Sequence, residues 1–282
     1  MCSSDLFSAS EAIGDIRILD RLSPERPYAF DISRRMGEAD TRASLKVFSF
    51  GKPVTLSQRV PILENLGFTV ISERSYPVTP AGGTGETLWL HDMVLERTKG
   101  GPIELAALAA PLETALDAIF AGKMEADRFN ILITEAGLLP READILRAYA
   151  RYLRQIGVPY GQVYLADALA RYPAAARGLV RAFDIRFNPD LPEKAGDRAH
   201  IAAAVKESLL AEIDKITSLD DDRIFRRMLN LIEASLRTNV YQKVEGGYRP
   251  TIAFKLQCSA VENLPLPRPL YEIFVSSPDV EG

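Results

Sequence analysis

Pro140–Gly157, PREADILRAYARYLRQIG, is the stretch that decides how the chain is read. Ile145, Leu146, Tyr149, Tyr152, Leu153 and Ile156 recur at three- and four-residue spacing, which draws one apolar face along a helix. Arg147, Arg151 and Arg154 recur in the same way on another side, the pattern of a solvated face. Glu142 and Asp144 sit in the first turn and the arginines nearer the end, so the charges oppose the helix dipole. Pro140 suits the first turn, Gly157 a left-handed stop, and Pro159 prevents continuation. This is scaffold rather than chemistry, and the neighbouring segments read as pieces packed on it or leading to it.

Working outward, the helical pattern extends on both sides. It covers Ile103–Ala121 and Glu125–Glu135 before the stretch, then Gly161–Arg171, Ala174–Phe187, Arg198–Ile216 and Asp221–Val240 after it. Breaks fall at Gly122, Gly137, Pro159, Pro173 and Pro189. In the last helix Phe225, Met228, Leu229, Ile232 and Leu236 form the expected buried stripe, and Ser218 with Asp221 matches a capping box. After Gly246-Gly247 two runs, Arg249–Gln257 and Tyr271–Ser276, are strand-like, with an extended proline run between them.

Before Gly100-Gly101-Pro102 the pattern is mixed. Pro27–Ile32 reads as a short strand and Arg42–Phe50, RASLKVFSF, as a longer one. Gly51-Lys52-Pro53 turns the chain. Thr55 or Ser57 caps a helix carrying Leu56, Val60, Leu63 and Leu66 that stops at Gly67, and Pro61 places its regular part near that proline. Phe68–Arg74 and Thr87–Glu96 are strands joined by a Pro/Gly-rich hairpin loop at Pro77–Gly85, so they should pair antiparallel. Residues 1–26 are expected to be a ragged or disordered start.

Composition excludes several classes. A net charge of −4 leaves no nucleic-acid footprint. Cys2 and Cys258 cannot form a disulfide framework and fit a reducing cytoplasm. Asp5, Glu11 and Asp15 interrupt any signal peptide. The most apolar helix, Ile103–Phe120, carries Glu104, Pro111, Glu113 and Asp117, which marks a core helix rather than a membrane span.

Each chemical candidate has a plainer reading beside it. Gly82-Gly83-Thr84-Gly85 lacks the third glycine of a dinucleotide fingerprint, because position 88 is Leu88, and a strand follows it; a hairpin loop is favoured. Asp220-Asp221-Asp222 opens a helix, where acids suit the dipole, and no His or Cys is near; helix start outweighs metal site. His91 beside Asp92 offers acid–base chemistry, but no nucleophile accompanies it and a structural histidine is favoured. His200 opens a helix and reads as surface. Pro265, Pro267 and Pro269 lack P-x-x-P spacing. Tyr149, Tyr152, Tyr160 and Tyr164 line either a pocket or a core. No catalytic, cofactor-binding or metal-ligating residues are assigned.

Several segments taken in order resemble the large bacterial NAD-specific glutamate dehydrogenases. They are VPILENLGFTVISERSYPV at Val60–Val78, LWLHDMVLE at Leu88–Glu96, and FNILITEAGLLPREADILRAYARYLRQIGVPYGQVYLADALARYP at Phe129–Pro173. SLDDDRIFRRMLNLIEASLRTNVYQ at Ser218–Gln242, TIAFKL at Thr251–Leu256 and LPLPRPLYEIFVSSPDVEG at Leu264–Gly282 complete the set. The resemblance implies an enzyme converting glutamate to 2-oxoglutarate and ammonia with NAD, in which ACT-like regulatory modules and a helical segment precede the catalytic part. The strand–helix–strand–strand order at Arg42–Glu96 is compatible with one ACT-like module. The family's glycine- and arginine-rich segment, catalytic lysines and nicotinamide domain would follow Gly282, so the resemblance implies a chain that binds no NAD and is inactive alone.

The expected fold is therefore α+β: an ACT-like α/β module at 27–100, a mainly helical region at 101–246, and a short terminal β segment at 247–282 as the first strands of a truncated catalytic domain. Those strands should be poorly protected for lack of sheet partners. The expected partners are the catalytic domain of the same polypeptide, an amino-acid effector and, at full length, further copies in a homo-oligomer, with no nucleic acid and no membrane. A stand-alone amino-acid-sensing or scaffold module is the alternative. An effector would meet the turn before the module's helix. There Gly51 permits close approach, Lys52 offers a cation, and the helix start offers N–H groups; Asn65 and Gly67 at the helix end form a weaker second lining.

Overall fold

The computed structural model describes residues 9–80, 85–192, 195–245 and 247–278. The chain forms two compact units, Met1–Ala121 and Gly122–Gly282.

In the first unit, α1 (Ala9–Leu19) precedes β1 (Tyr28–Ser33) and β2 (Arg42–Phe50). Then come α2 (Leu56–Asn65), β3 (Phe68–Val78), β4 (Leu88–Arg97) and α3 (Leu105–Phe120). The four strands form one antiparallel sheet in the order β1-β2-β4-β3. Its two faces follow from the period of two along each strand. Leu45, Val47 and Met93 turn toward Ile62 and Leu63 of α2 and Leu116 and Phe120 of α3. The Phe120 ring closes on Tyr28 and Phe30 of β1, with centroids 4.9 and 5.1 Å away. Phe48, Leu88 and Leu90 point the other way, against Leu19 and Leu22. The hairpin β3–β4 pairs antiparallel as its short loop requires, although residues 81–84, with most of the glycine cluster, lie outside the described residues.

Two local expectations are corrected here. Residues 9–19 were placed in a ragged start and are helical. The contacts that hold α1 are distant in sequence: Asp15 meets Lys46 Nζ at 2.7 Å, and Leu19 enters the core. The helix's own apolar residues Ile13 and Ile16 stay exposed, so no local stripe announces it. The second correction is the start of α2, at Leu56 rather than near Pro61. Gln58 Oε1 accepts from Thr55 N–H and fixes the first turn, so Pro61 forfeits only the bond to Ser57.

The second unit is built on α5 (Pro140–Gln155), preceded by a 3-10 turn at Arg128–Asn130 and α4 (Ile131–Glu135). Helices α6 (Gln162–Arg171), α7 (Pro173–Phe187), α8 (Ala195–Ile213) and α9 (Leu219–Ala234) follow. The strands are β5 (Ser235–Thr238), the paired β6 (Lys243–Val244) and β7 (Gly247–Tyr248), β8 (Ile252–Gln257) and β9 (Tyr271–Ser276). β5-β8-β9 make a three-stranded antiparallel sheet. Its inner residues Ile252, Phe254, Leu256 and Phe274 meet the apolar face of α5. The Tyr149 ring stacks on Phe254 at 4.2 Å, and Tyr152 meets Phe274 edge-on at 5.3 Å. These two tyrosines are core. Gly178 lets α8 approach α7: a Cβ there would fall 2.7 Å from Leu209.

The last helix was expected to run to Val240 but ends at Ala234, and the chain continues as β5. Ser235 Oγ donates to Leu231 O at 2.7 Å and Asn239 pins β8 through Ala253 N–H, so strand pairing replaces the final turns. Leu236, expected in the buried stripe, is 42% exposed. The arginine row of α5 is likewise not a solvated face. Arg147 is buried against Asp127, Asp144 and Asn130, Arg151 is half-buried against Glu125, and only Arg154 is exposed.

Candidate effector site

Gly51 adopts φ 73°, a conformation that glycine takes without steric cost. Its N–H donates to Thr87 O at 2.9 Å, and Lys52 N–H donates to Phe50 O at 2.8 Å. Ser49 Oγ donates to Lys52 O and closes the turn, leaving the Lys52 side chain exposed. The two N–H groups that lead into α2 are already engaged: Val54 donates to His91 Nε2 at 3.1 Å and Thr55 to Gln58. The amides of Leu56 and Ser57 have no such acceptor among the described residues and are the ones an anion would meet.

Asn65 and Gly67 lie at the other end of α2. The ten-residue helix is about 14 Å long, and Lys52 precedes its other end. Gly67 is buried at φ 86°, and its carbonyl accepts from Thr98 N–H. The structure brings Gly51 and Lys52 together at one turn and sets Asn65 and Gly67 apart from them.

Beneath the turn is a relay that sequence reasoning missed. His91 Nε2 accepts from Val54, so the ring proton sits on Nδ1, which donates to Ser75 Oγ at 2.6 Å. Ser75 donates to Glu73 Oε1, and that carboxylate accepts both terminal nitrogens of the buried Arg59 at 3.1 Å. Burial, reinforced by the Arg59 cation, lowers the His91 pKa to about 4. His91 is thus a neutral structural strut between sheet and helix start. The neighbouring Asp92 points to the opposite face and holds Arg35 with both oxygens, so the two never form an acid–base pair. The one signal available in sequence was the alternation of Glu73 and Ser75, which puts both on the His91 face of β3.

The other candidates resolve into structural roles. Asp220 accepts from Tyr160 OH at 2.7 Å, Asp221 from Arg171 and Tyr164, and Asp222 from Arg226. Ser218 Oγ accepts from Asp221 N–H, which is half of the expected capping box. Tyr160 and Tyr164 stack on each other at the start of α9 rather than lining a pocket. Among the described residues every strand pair is antiparallel, whereas a nicotinamide dinucleotide is cradled by parallel strands and a helix N-terminus, so these residues do not fit NAD.

Three family models match in order along the chain. Residues 27–108 match "Glutamate dehydrogenase, ACT3 domain", residues 124–189 match "Glutamate dehydrogenase, helical motif 3", and residues 208–282 match "Bacterial NAD-glutamate dehydrogenase, catalytic domain". The chain is 40% identical over 277 residues to a protein of Halomonas elongata named NAD-specific glutamate dehydrogenase. It is 38% identical over 282 residues to one of the same name from Mycobacterium tuberculosis. Over nearly its whole length the chain is similar to a segment of the NAD-specific glutamate dehydrogenases. These alignments cover 98% and 97% of the chain but 17% of each relative, so the chain spans about a sixth of those glutamate dehydrogenases. The sheet of the first unit falls within the ACT3-domain match and is ACT-like, and Gly51 and Lys52 lie within that match. Among the described residues no helix is long and apolar enough to cross a membrane.

Proposed function

We propose that this chain is the regulatory and structural region of an NAD-dependent glutamate dehydrogenase that acts with a catalytic part to convert glutamate to 2-oxoglutarate and ammonia. The observation that carries the reading is the succession of ACT, helical-motif and catalytic-domain matches within one chain. On this reading NAD binds elsewhere in the enzyme, the full-length protein is a cytoplasmic homo-oligomer, and the buried free thiol of Cys258 accords with a reducing compartment. The regulatory role is assigned to the Gly51–Lys52 turn. An amino-acid effector would set its carboxylate against the Lys52 ammonium and the Leu56 and Ser57 amides.

The 282-residue chain alone should form no NADH from glutamate and NAD. A full-length chimera, with these residues replacing the matching stretch of the Halomonas elongata enzyme, should form it; an inactive, folded chimera overturns the enzyme reading. Calorimetry of the chain with a panel of amino acids tests the turn. Lys52→Ala should weaken binding by more than roughly 1 kcal/mol, the scale of a charge-assisted hydrogen bond. No binding at millimolar concentration, or binding indifferent to the substitution, removes the site.

A further inference from the structure

The two sheets treat their edges differently. An edge strand offers unpaired N–H and C=O groups to any passing strand, and folded proteins blunt such edges with bulges, charges and prolines. β3, at one edge of the first sheet, has all three: a register shift between Val70 and Ser72, the charged Glu73 and Arg74, and Pro77. β9, at the edge of the second sheet among the described residues, has neither bulge nor proline. Its six residues run in unbroken register with β8, and its one charge, Glu272, turns inward to accept from Tyr152 OH at 2.8 Å. Outward it presents Tyr271, Ile273 and Val275, which are 46%, 68% and 53% exposed. The aliphatic stem of Lys255 lies along this face, with Nζ 4.3 Å from the Tyr271 ring centroid.

We propose that the free edge and bare outer face of β9 receive an extended segment of the enzyme's catalytic part, a strand whose apolar side chains cover Tyr271, Ile273 and Val275. The inference rests on the reading of this chain as part of a glutamate dehydrogenase. Two observations choose the occupant. The whole three-stranded sheet lies inside the 208–282 match to the catalytic domain, and about five-sixths of each relative lies outside the matched stretch. A strand satisfies both the edge hydrogen bonds and the face, whereas a helix covers the face alone.

Amide hydrogen exchange, followed in the 282-residue chain and in the full-length chimera, tests this. In the chain the β9 amides should exchange at least about tenfold faster than those of β8, and in the chimera they should slow by about tenfold or more. The proposal is overturned if β9 is already as protected as β8 in the monomeric chain. It is overturned equally if a concentration-dependent dimer of the chain supplies the protection, which would make a second copy the occupant. A chimera that makes NADH while β9 exchanges as fast as in the chain sinks the surface and leaves the enzyme reading standing. A folded chimera with β9 protected but no activity does the reverse. Should the chimera not fold, the chain carrying Ile273→Lys and Val275→Lys decides. An unchanged thermal midpoint supports a face left bare for a partner; a loss of several degrees shows the face is covered within the chain and ends the proposal.

Discussion

The two units bury charge to different ends. In the first, two buried charge pairs are pins between elements that each have an apolar core contact of their own. Lys46 of β2 holds Asp15 of α1 at 2.7 Å, and Arg59 of α2 holds Glu73 of β3 at 3.1 Å. In the second, one cation is a hub. Arg147 of α5 donates to Asp127 at 2.9 and 3.0 Å and to Asn130 at 2.6 Å, and it also bonds Asp144. Its guanidinium lies 5.8 Å from the Phe129 ring centroid. A pin can be exchanged for an apolar pair of similar size with little loss when its main partner is exchanged with it. A hub cannot, since removing it leaves several acceptors stranded in low dielectric.

The hub gives the largest expected effect. Arg147→Met keeps an unbranched apolar stem and deletes the guanidinium, leaving Asp127 and Asp144 facing each other. Burial already raises the Asp144 pKa even with Arg147 in place. The loss should be about 3–5 kcal/mol, the range for breaking a buried pair from one side. Urea titration would read it as a lower midpoint at constant slope. A loss below about 1 kcal/mol would reduce the hub to a pin and dissolve the comparison.

The pin gives the next effect. Lys46→Met alone should cost about 3 kcal/mol, because it leaves the Asp15 carboxylate buried and unpaired. Burial raises the Asp15 pKa, so its ionised form is the strained one and its contribution to stability is lost as pH rises through that value. Adding Asp15→Leu to Lys46→Met should restore most of the loss. A double variant as unstable as the single one would mean that α1 needs this charge pair in the way α5 needs Arg147.

What was legible in sequence divides along the same line. The strands β2, β3, β4, β8 and β9, the antiparallel β3–β4 pairing and the apolar stripe of α5 all follow from periods of two and 3.6, which are local. Arg147 reads as part of a solvated face and Asp221 as a helix-start charge, since Asp127 and Arg171, which hold them, lie 20 and 50 residues away. The helix α1 was missed for the same reason. The end of α9 was misread because Leu236 continues the apolar period while Ser235 and Asn239 commit the chain to the sheet. At the candidate effector turn the left-handed glycine was legible, but the occupation of the Val54 N–H by His91 was not, because it spans 37 residues.

The smallest effect concerns His91, where the pin is a neutral group and its loss is set by pH. In the folded state burial and the Arg59 cation disfavour protonation more strongly than the Glu73 carboxylate, 3.7 Å from Nδ1, favours it, and the pKa falls to about 4. In the unfolded chain the ring titrates at its ordinary value, about 6.5. A base with a depressed folded pKa binds fewer protons folded than unfolded, so stability falls as pH drops from about 6.5 toward about 4 and is unaffected above that window. Between about pH 7 and about pH 5.5 the expected loss is about 1 kcal/mol from this one group. His91→Gln, whose amide oxygen can still accept from Val54, should remove that part of the slope while costing stability at neutral pH. Denaturant titrations of both proteins across this range read the difference directly. A parallel pH dependence in the two would mean that the folded ring titrates like the unfolded one, and below that range the strut would be an ion pair with Glu73, of the same kind as Lys46 with Asp15.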